Sequence, residues 1–239
     1  VLAVVACMIA TYEYASVIFG YGAKRRTAEI LALTALAVAN LLIVAYWPAL
    51  SAVGLACAFI LIFIHNILRH RHEPNDAMYQ IFSLLYIAVP LGLIIQMYSL
   101  PYGHLLIWLV FVISTLTDTM AYFVGMKLGK RRLAPAISPK KSVEGALGGL
   151  VGGIGFSLIF GIILAKAFNV QLPLWHYGLV GAVGSIFGQF GDLSASLIKR
   201  KFNKKDYGNL IPGHGGILDR IDSILFVIPV VYLYAYLVS

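Results

Sequence analysis

Charged side chains are scarce in this sequence, and cysteine is nearly absent. Of its 239 residues only 12% are Asp, Glu, Lys or Arg, whereas 60% are hydrophobic. A soluble domain carries about twice that charged fraction, so the composition excludes an ordinary soluble globular protein. The two cysteines, Cys7 and Cys57, lie in apolar runs and form no disulfide framework. With no cluster of His and Cys residues, a zinc site is not expected either.

The sequence consists largely of long apolar runs. Each run is long enough to cross a bilayer as a helix. They predict about eight transmembrane spans, at 1–19, 28–46, 49–68, 78–98, 104–126, 144–167, 175–198 and 217–238. The expected fold is therefore an all-α, polytopic integral membrane helical bundle. Because no linker or low-complexity segment interrupts it, we expect a single membrane-embedded domain over 1–239.

The basic residues are distributed unevenly between the connections of these spans. Every Lys and Arg except Lys166 lies in or beside the first, third, fifth or seventh connection. The positive-inside rule makes those connections cytoplasmic and puts both ends of this chain on the opposite side. The net charge of +8 thus follows from membrane topology, and no nucleic-acid partner is expected.

Several acidic residues lie inside the predicted spans. Glu13, Asp118 and Asp192 are roughly 7–10 residues from the cytoplasmic ends of their helices, a depth on the order of 10–15 Å. A charge at that depth costs several kcal/mol unless it faces a partner or a wet cavity. We expect one polar chamber open to the cytoplasm, joined by Asp219 and Asp222 from one face of the eighth span. Glu13 either pairs with a cation in the bundle or lines the path of a substrate.

Glycines recur on the sixth and seventh spans. In the sixth, Gly145, Gly149 and Gly153 share one register and Gly148 and Gly152 share another, which predicts tight helix packing, with a dimer contact or the approach of a phosphate as alternatives. The seventh span has a stripe that begins with small residues and ends with polar ones: Gly181, Gly184, Gly188, Gly191, Asp192, Ser196 and Lys199.

Two acids, Asp192 and Asp219, flank the basic, glycine-rich connection between the seventh and eighth predicted spans. Asp192 precedes it and Asp219 follows it, and carboxylates without His or Cys favour Mg²⁺ or Mn²⁺. We therefore expect both to bind a metal that holds a polyphosphate. The alternative is that each acid neutralises a nearby Arg or Lys, such as Arg200 or Arg220. Asp222 is either a further ligand or the partner of Arg220.

Other residues are suited to binding anions. Lys140 and Lys141 precede a helix start near Ser142, where free backbone N–H groups favour phosphate, although the loop does not match a Walker A motif. His214 lies between glycines and either contacts phosphate or metal-bound water, or transfers a proton. The sequence shows no nucleophilic Ser/His/Asp or Cys/His set. The residues instead suit metal-assisted phosphoryl or nucleotidyl transfer between a lipid and a water-soluble substrate.

Three segments together resemble the phosphatidate cytidylyltransferases, or CDP-diacylglycerol synthases. They are Asp118-x-x-Ala121-Tyr122-x-x-Gly125, Ser138-Pro139-Lys140-Lys141-Ser142, and the region 191–222 with Ser196-x-x-Lys199-Arg200, Lys205-Asp206-x-Gly208 and Pro212-x-His214-Gly215-Gly216-x-x-Asp219-Arg220-x-Asp222. The resemblance is strong from about 107 to 230, and in the first half it extends only to the helical layout. Tyr207 departs from the usual small hydroxyl residue, and Ser142 from the usual Thr.

The resemblance implies a reaction: CTP and phosphatidate give CDP-diacylglycerol and pyrophosphate at the cytoplasmic face of a bacterial inner membrane. It implies Mg²⁺, with K⁺ as a second ion, a homodimer, and one more N-terminal helix. N-terminal helices would occupy 1–100, and catalytic helices and loops 104–239. Implied catalytic residues are Asp192, Asp219, Lys199, Arg200, His214 and Arg220. Implied substrate-binding residues are Ser196, Lys205, Asp118, Lys140, Lys141, Gly215 and Gly216. Implied metal ligands are Asp192, Asp219 and Asp222.

Two other functions remain open from the sequence. A CTP-dependent kinase of polyprenol or phytol would transfer the γ-phosphate and release CDP. A cation or metabolite transporter would use the intramembrane acids as an ion site, but no inverted repeat is visible and the acids lie near one face.

Overall fold

A computed structural model describes residues 1–20, 24–68, 74–210 and 215–238, and of residues 24–26 and 74 it describes only the helices to which they belong. Each of the eight predicted spans is helical in it, so the helical membrane bundle predicted from the sequence is confirmed. Within the described ranges, seven helices are long and apolar enough to cross a membrane.

The first half of the chain forms helices α1 to α5. Their bounds are α1 Leu2–Phe19, α2 Lys24–Tyr46, α3 Ser51–Leu68, α4 Pro74–Ser83 and α5 Val89–Met97. A 3-10 turn, Pro48–Leu50, precedes α3. A π-helical turn, Leu84–Ala88, joins α4 to α5 without a break, so these two helices together are the fourth predicted span.

The second half forms four longer helices and one hairpin. Their bounds are α6 Gly103–Leu128, β1 Arg132–Ala134, β2 Ser138–Ser142, α7 Val143–Phe168, α8 Leu174–Lys201 and α9 Leu218–Leu237. Helix α8 is the seventh predicted span, yet it is not among the helices apolar enough to be counted as a membrane span. Its glycines, Asp192 and its basic last turn lower its hydropathy.

The fifth connection adds a feature that the sequence did not predict. Instead of an irregular loop, residues 132–142 form a two-stranded antiparallel hairpin in which Arg132 pairs with Ser142 and Ala134 with Ser138. Ser142 then caps α7, because its Oγ accepts a hydrogen bond from the N–H of Gly145 at 3.1 Å. The helix start predicted near Ser142 is confirmed.

The chain divides into two compact units. The N-terminal unit is Val1–Gln96 with Phe202–Arg220, and the C-terminal unit is Met97–Lys201 with Ile221–Ser239. The loop between α8 and α9, together with the first residues of α9, therefore belongs with helices that are far away in sequence. The prediction of a single domain stays a prediction.

In the C-terminal unit, α7 packs closely against α6 through its glycines. A Cβ on Gly145 would lie 2.7 Å from the carbonyl oxygen of Ala121, and one on Gly149 would lie 2.9 Å from that of Thr117. Neither distance is possible for a real side chain, so the two backbones touch only because these residues are glycine. Tight packing is therefore the role of the first glycine register. The second register does the same: Gly148 faces Val124 and Gly152 faces Met120.

The glycine stripe of α8 serves three neighbours in turn. Gly181 lies against Ser157 of α7, Gly184 against Ile113 of α6, and Gly188 against Val227 of α9. At the end of the stripe, a Cβ on Gly191 would lie 2.6 Å from the carbonyl oxygen of Asp222. Close approach at Gly191 brings the next residue of α8 beside the first turns of α9.

Candidate functional site

Three carboxylates of the C-terminal unit form a group, which we call the carboxylate cluster: Asp118 on α6, Asp192 on α8 and Asp222 on α9. Asp118 and Asp222 each interact electrostatically with Asp192 and with each other. Asp222 is only 6% exposed. Like charges brought together in this way are stabilised by a nearby cation or by taking up a proton. The sequence placed all three acids at this site, and the structure brings them together.

Hydroxyl groups connect two members of the carboxylate cluster. The Ser223 hydroxyl donates to Asp118 Oδ2 at 3.0 Å and lies 2.8 Å from the hydroxyl of Ser114. The backbone N–H of Ser223 also donates to Asp222 Oδ1 at 2.7 Å. Ser223 thus links Asp118 to Asp222. Sequence reasoning missed both serines, although Ser114 is one helical turn from Asp118 and Ser223 directly follows Asp222.

Two lysines supply positive charge to the carboxylate cluster. Lys141 Nζ lies 2.5 Å from Asp192 Oδ2. Lys199 is only 8% exposed and interacts electrostatically with Asp222. The Ser196 hydroxyl points to the other oxygen of Asp192, Oδ1, at 3.4 Å. Lys141 was predicted as part of an anion site. In the structure it forms an ion pair with Asp192.

Other predicted residues lie in the β1–β2 hairpin or contact it. Arg200, at the end of α8, is exposed and donates from Nε to the carbonyl oxygen of Ile137 at 3.3 Å. Lys140 is also exposed, and its carbonyl oxygen accepts from Arg132. Glu144 accepts hydrogen bonds from the backbone N–H groups of Lys130 and Arg131, which fixes the start of the hairpin against α7. Arg200 therefore supports the hairpin that presents Lys141.

In the N-terminal unit, Asp219 is bound by the backbone of its own loop. Its Oδ2 accepts from the N–H of Tyr207 at 2.8 Å and from that of Gly216 at 3.0 Å. Gly215 adopts a φ of 84°, and a Cβ there would lie 3.0 Å from the same oxygen. Asp219 thus shapes the loop before α9, a structural role that the sequence did not predict. Its role as a metal ligand stays a prediction.

Glu13 of α1 contacts the same loop. Its Oε1 accepts from the N–H of Ile217 at 3.1 Å, and its Oε2 accepts from the N–H of Leu218 at 2.9 Å. The sequence suggested a cation partner or a place on a substrate path. The partners found are instead backbone N–H groups at the start of α9, where a negative charge is favoured.

The remaining predicted residues of the loop region are Lys205, Arg220 and His214. Lys205 and Arg220 are exposed to solvent. His214 lies outside the described residues, so its assignment stays a prediction.

A divalent cation fits the chemistry of the carboxylate cluster. Within the described ranges no group of three or more His, Cys, Asp or Glu side chains is arranged to hold a metal ion. Mg²⁺, however, is usually bound by one or two carboxylates and completes its shell with water and substrate phosphates. Asp192 and Asp222 offer hard oxygen donors of that kind, and their charges interact. These donors are of the type that Mg²⁺ prefers, and Mg²⁺ at this site stays a prediction.

Known proteins with similar sequences agree with this description. Residues 1–238 match the model of the Cytidylyltransferase family. The chain is 40% identical over 175 residues to a phosphatidate cytidylyltransferase of Staphylococcus haemolyticus, a match that covers 73% of this chain and 65% of that protein. It is 43% identical over 151 residues to one of Bacillus subtilis, which covers 63% of this chain and 55% of that protein. The chain thus spans less than two thirds of the length of these relatives.

Proposed function

The chain belongs to the Cytidylyltransferase family, and we propose that it transfers CMP from CTP to phosphatidate, which gives CDP-diacylglycerol and pyrophosphate. The names of the relatives support the choice of substrates. The observation that carries the proposal is the carboxylate cluster, with Lys141 on Asp192 and Lys199 beside Asp222. This combination suits a metal and a polyphosphate together.

The reaction requires one bond to form and one to break. An oxygen of the phosphatidate phosphate attacks the α-phosphorus of CTP, and the bond from that phosphorus to the bridging oxygen of the β-phosphate breaks. A phosphate monoester has a second pKa near 6, so it is already an anion at neutral pH and no strong base is required. The leaving pyrophosphate carries away the electron pair. This balance explains why a site without a nucleophilic Ser or Cys suffices.

Asp192 and Asp222 would hold Mg²⁺, which when bound neutralises phosphate oxygens and orients them. Lys141 and Lys199 hold positive charge next to these acids, and we assign them to the phosphates of CTP and the leaving pyrophosphate. Ser196 orients Asp192 through the contact with Oδ1. K⁺ as a second ion, and Asp219 as a further ligand, stay predictions from the sequence.

We further propose that the site faces the cytoplasm of a bacterium and that the protein acts as a homodimer. The basic connections support the first point, because Lys and Arg accumulate on the cytoplasmic side of membrane proteins. CTP is water-soluble and phosphatidate lies in the bilayer, so a site at this face is reached by both. The homodimer rests on the family resemblance alone.

The experiment that tests this function follows the label of CTP. Purified protein in liposomes receives Mg²⁺, phosphatidate and CTP labelled on the α- or the γ-phosphate, and the organic phase is counted. We expect label in lipid from α-labelled CTP only, with EDTA stopping the transfer. Label from γ-labelled CTP with an added prenol would indicate the lipid kinase. No transfer from either, in folded protein, would overturn enzymatic transfer and favour transport.

A further inference from the structure

Glu13 is a buried acid far from the carboxylate cluster in sequence, and the proposed chemistry does not use it. It lies in the apolar helix α1 and is only 5% exposed. An ionised side chain in such a helix is costly unless it has partners. The neighbouring residue Tyr14 is also fully buried, so this turn of α1 faces the interior of the N-terminal unit.

The partners of Glu13 are two adjacent N–H groups at the start of α9. Leu218 is the first residue of α9 and Ile217 precedes it, and each N–H binds its own oxygen of Glu13. N–H groups at a helix start have no acceptor within the helix. Glu13 supplies that acceptor from a position 204 residues earlier in the chain.

The glycines of the loop are shaped around the same carboxylate. A Cβ on Gly208 would lie 2.6 Å from Glu13 Oε1, and a Cβ on Gly216 would collide with Oε2. Both positions are therefore closed to any side chain while Glu13 is in place. The approach of Glu13 explains why neither residue has a side chain, whereas the family resemblance implied a substrate-binding role for Gly216.

Aromatic contacts hold the rest of the loop on the same helices. Tyr207 stacks on Tyr14 with ring centroids 6.2 Å apart, and Phe202 meets Tyr79 of α4 at 5.2 Å. Asp219 binds the N–H groups of Tyr207 and Gly216. Glu13 and Asp219 thus fix neighbouring parts of one loop backbone.

We propose that Glu13 is a positioning residue for cytidylyl transfer: it holds the loop at Gly208 and Gly216 and the first turn of α9, and thereby sets the positions of Asp219 and Arg220. The inference rests on the proposed function, since it concerns residues of the same reaction. We assign Glu13 no contact with a substrate. It acts through the backbone that carries Asp219 and Arg220.

Glu13→Gln in the full chain is the most direct test. Glutamine has the same shape, but it keeps one acceptor oxygen and turns an NH2 group toward the second backbone N–H. One hydrogen bond to a charged group and the negative charge are lost, so we expect amide exchange of peptides covering 215–220 to become about tenfold faster. Glu29→Gln in α2 is the matched control, and it should leave exchange in 215–220 unchanged.

Kinetics separate positioning from general destabilisation. We assign Asp219, Arg220 and the loop glycines to the nucleotide. Glu13→Gln should therefore lower kcat by about tenfold or more and raise KM for CTP several-fold, with KM for phosphatidate unchanged. A loss of folded protein would lower the apparent kcat with both KM values unchanged. That result, or unchanged exchange in 215–220, would overturn the proposal.

A second variant approaches Glu13 from the loop. Gly208→Ala leaves α1 intact but places a methyl group against the carboxylate, so it should increase exchange in 215–220 as Glu13→Gln does. In Glu13→Ala the obstacle is gone, and Gly208→Ala should then have a smaller effect than in the wild type. Additive effects would contradict the contact. Amide exchange is measured without substrate. It therefore tests whether Glu13 holds the loop even if the wild-type protein transfers no CMP.

Discussion

The acids of the N-terminal unit and those of the C-terminal unit are stabilised by different groups. Glu13 and Asp219 accept hydrogen bonds from four backbone N–H groups in the loop and at the start of α9, those of Ile217, Leu218, Tyr207 and Gly216. Asp118 and Asp192 are instead held by the side chains of Ser223, Ser196 and Lys141. Asp222 interacts electrostatically with Lys199 and also accepts one backbone N–H, that of Ser223.

The difference indicates different tasks. A backbone N–H is neutral and fixed in place, so an acid bound to it organises the fold around itself. A lysine side chain is charged and has rotatable bonds, so it can turn from a carboxylate to a phosphate when the substrate arrives. Acids held by lysines are therefore suited to a site where ions and phosphates exchange. Acids held by backbone are suited to keeping a loop in one shape.

The largest effect is expected from Asp192→Asn in the carboxylate cluster. The substitution removes one charge from the proposed metal site and breaks the pair with Lys141, so turnover should fall about a thousandfold. The melting temperature should change little, because repulsion from Asp118 and Asp222 is relieved. Asp76→Asn in α4 is a matched control with normal turnover. Turnover within a few-fold of the wild type would contradict the metal assignment.

Asp219→Asn tests whether the comparison holds for an acid bound by backbone. The variant can keep both N–H bonds on its remaining oxygen, so loop shape is retained while the charge is lost. If Asp219 also binds metal, turnover should fall about a hundredfold or more in a protein that still folds. Liposome assays and a thermal melt provide the measurement. Near-normal turnover would reduce Asp219 to its structural role.

Lys199→Ala should have a more selective effect on the C-terminal unit. Loss of a buried cation next to Asp222 removes attraction for phosphate, so we expect KM for CTP to rise about tenfold. Initial rates at varied CTP and at varied phosphatidate give the comparison. A lower melting temperature with unchanged KM values would assign Lys199 to packing alone.

Gly153→Ala should lower the stability of the protein, and its effect on turnover should be the smallest of these variants. A Cβ there would collide with the hydroxyl of Ser185 and lie 2.6 Å from that of Thr117, which are hydrogen-bonded to each other at 2.8 Å. Overpacking of this kind typically costs about 1–3 kcal/mol. Gly155→Ala on the same helix is the control, because nothing lies within 4 Å of its Cβ position. Equal melting temperatures for the two variants would contradict the packing role.

Much of the candidate site could be predicted from the sequence. Asp118, Asp192 and Asp222 were predicted as site residues because a charged side chain in an apolar span is costly and is usually present for a function. The spacing of Gly145 and Gly149 predicted close packing, which the contacts with α6 confirm. The β1–β2 hairpin was missed because its segment contains two prolines and a basic run, which are more typical of an irregular loop.

The sequence by itself determined the helices, because only a hydrogen-bonded apolar segment of sufficient length can cross a bilayer. The acids and cations of the proposed chemistry were also predicted from it. Only the tertiary structure decided which groups these side chains meet. Glu13 binds N–H groups more than two hundred residues away, and Ser223 joins Asp118 to Asp222. Such contacts form when distant segments pack together, and the periodicity of residues along a sequence predicts only local structure.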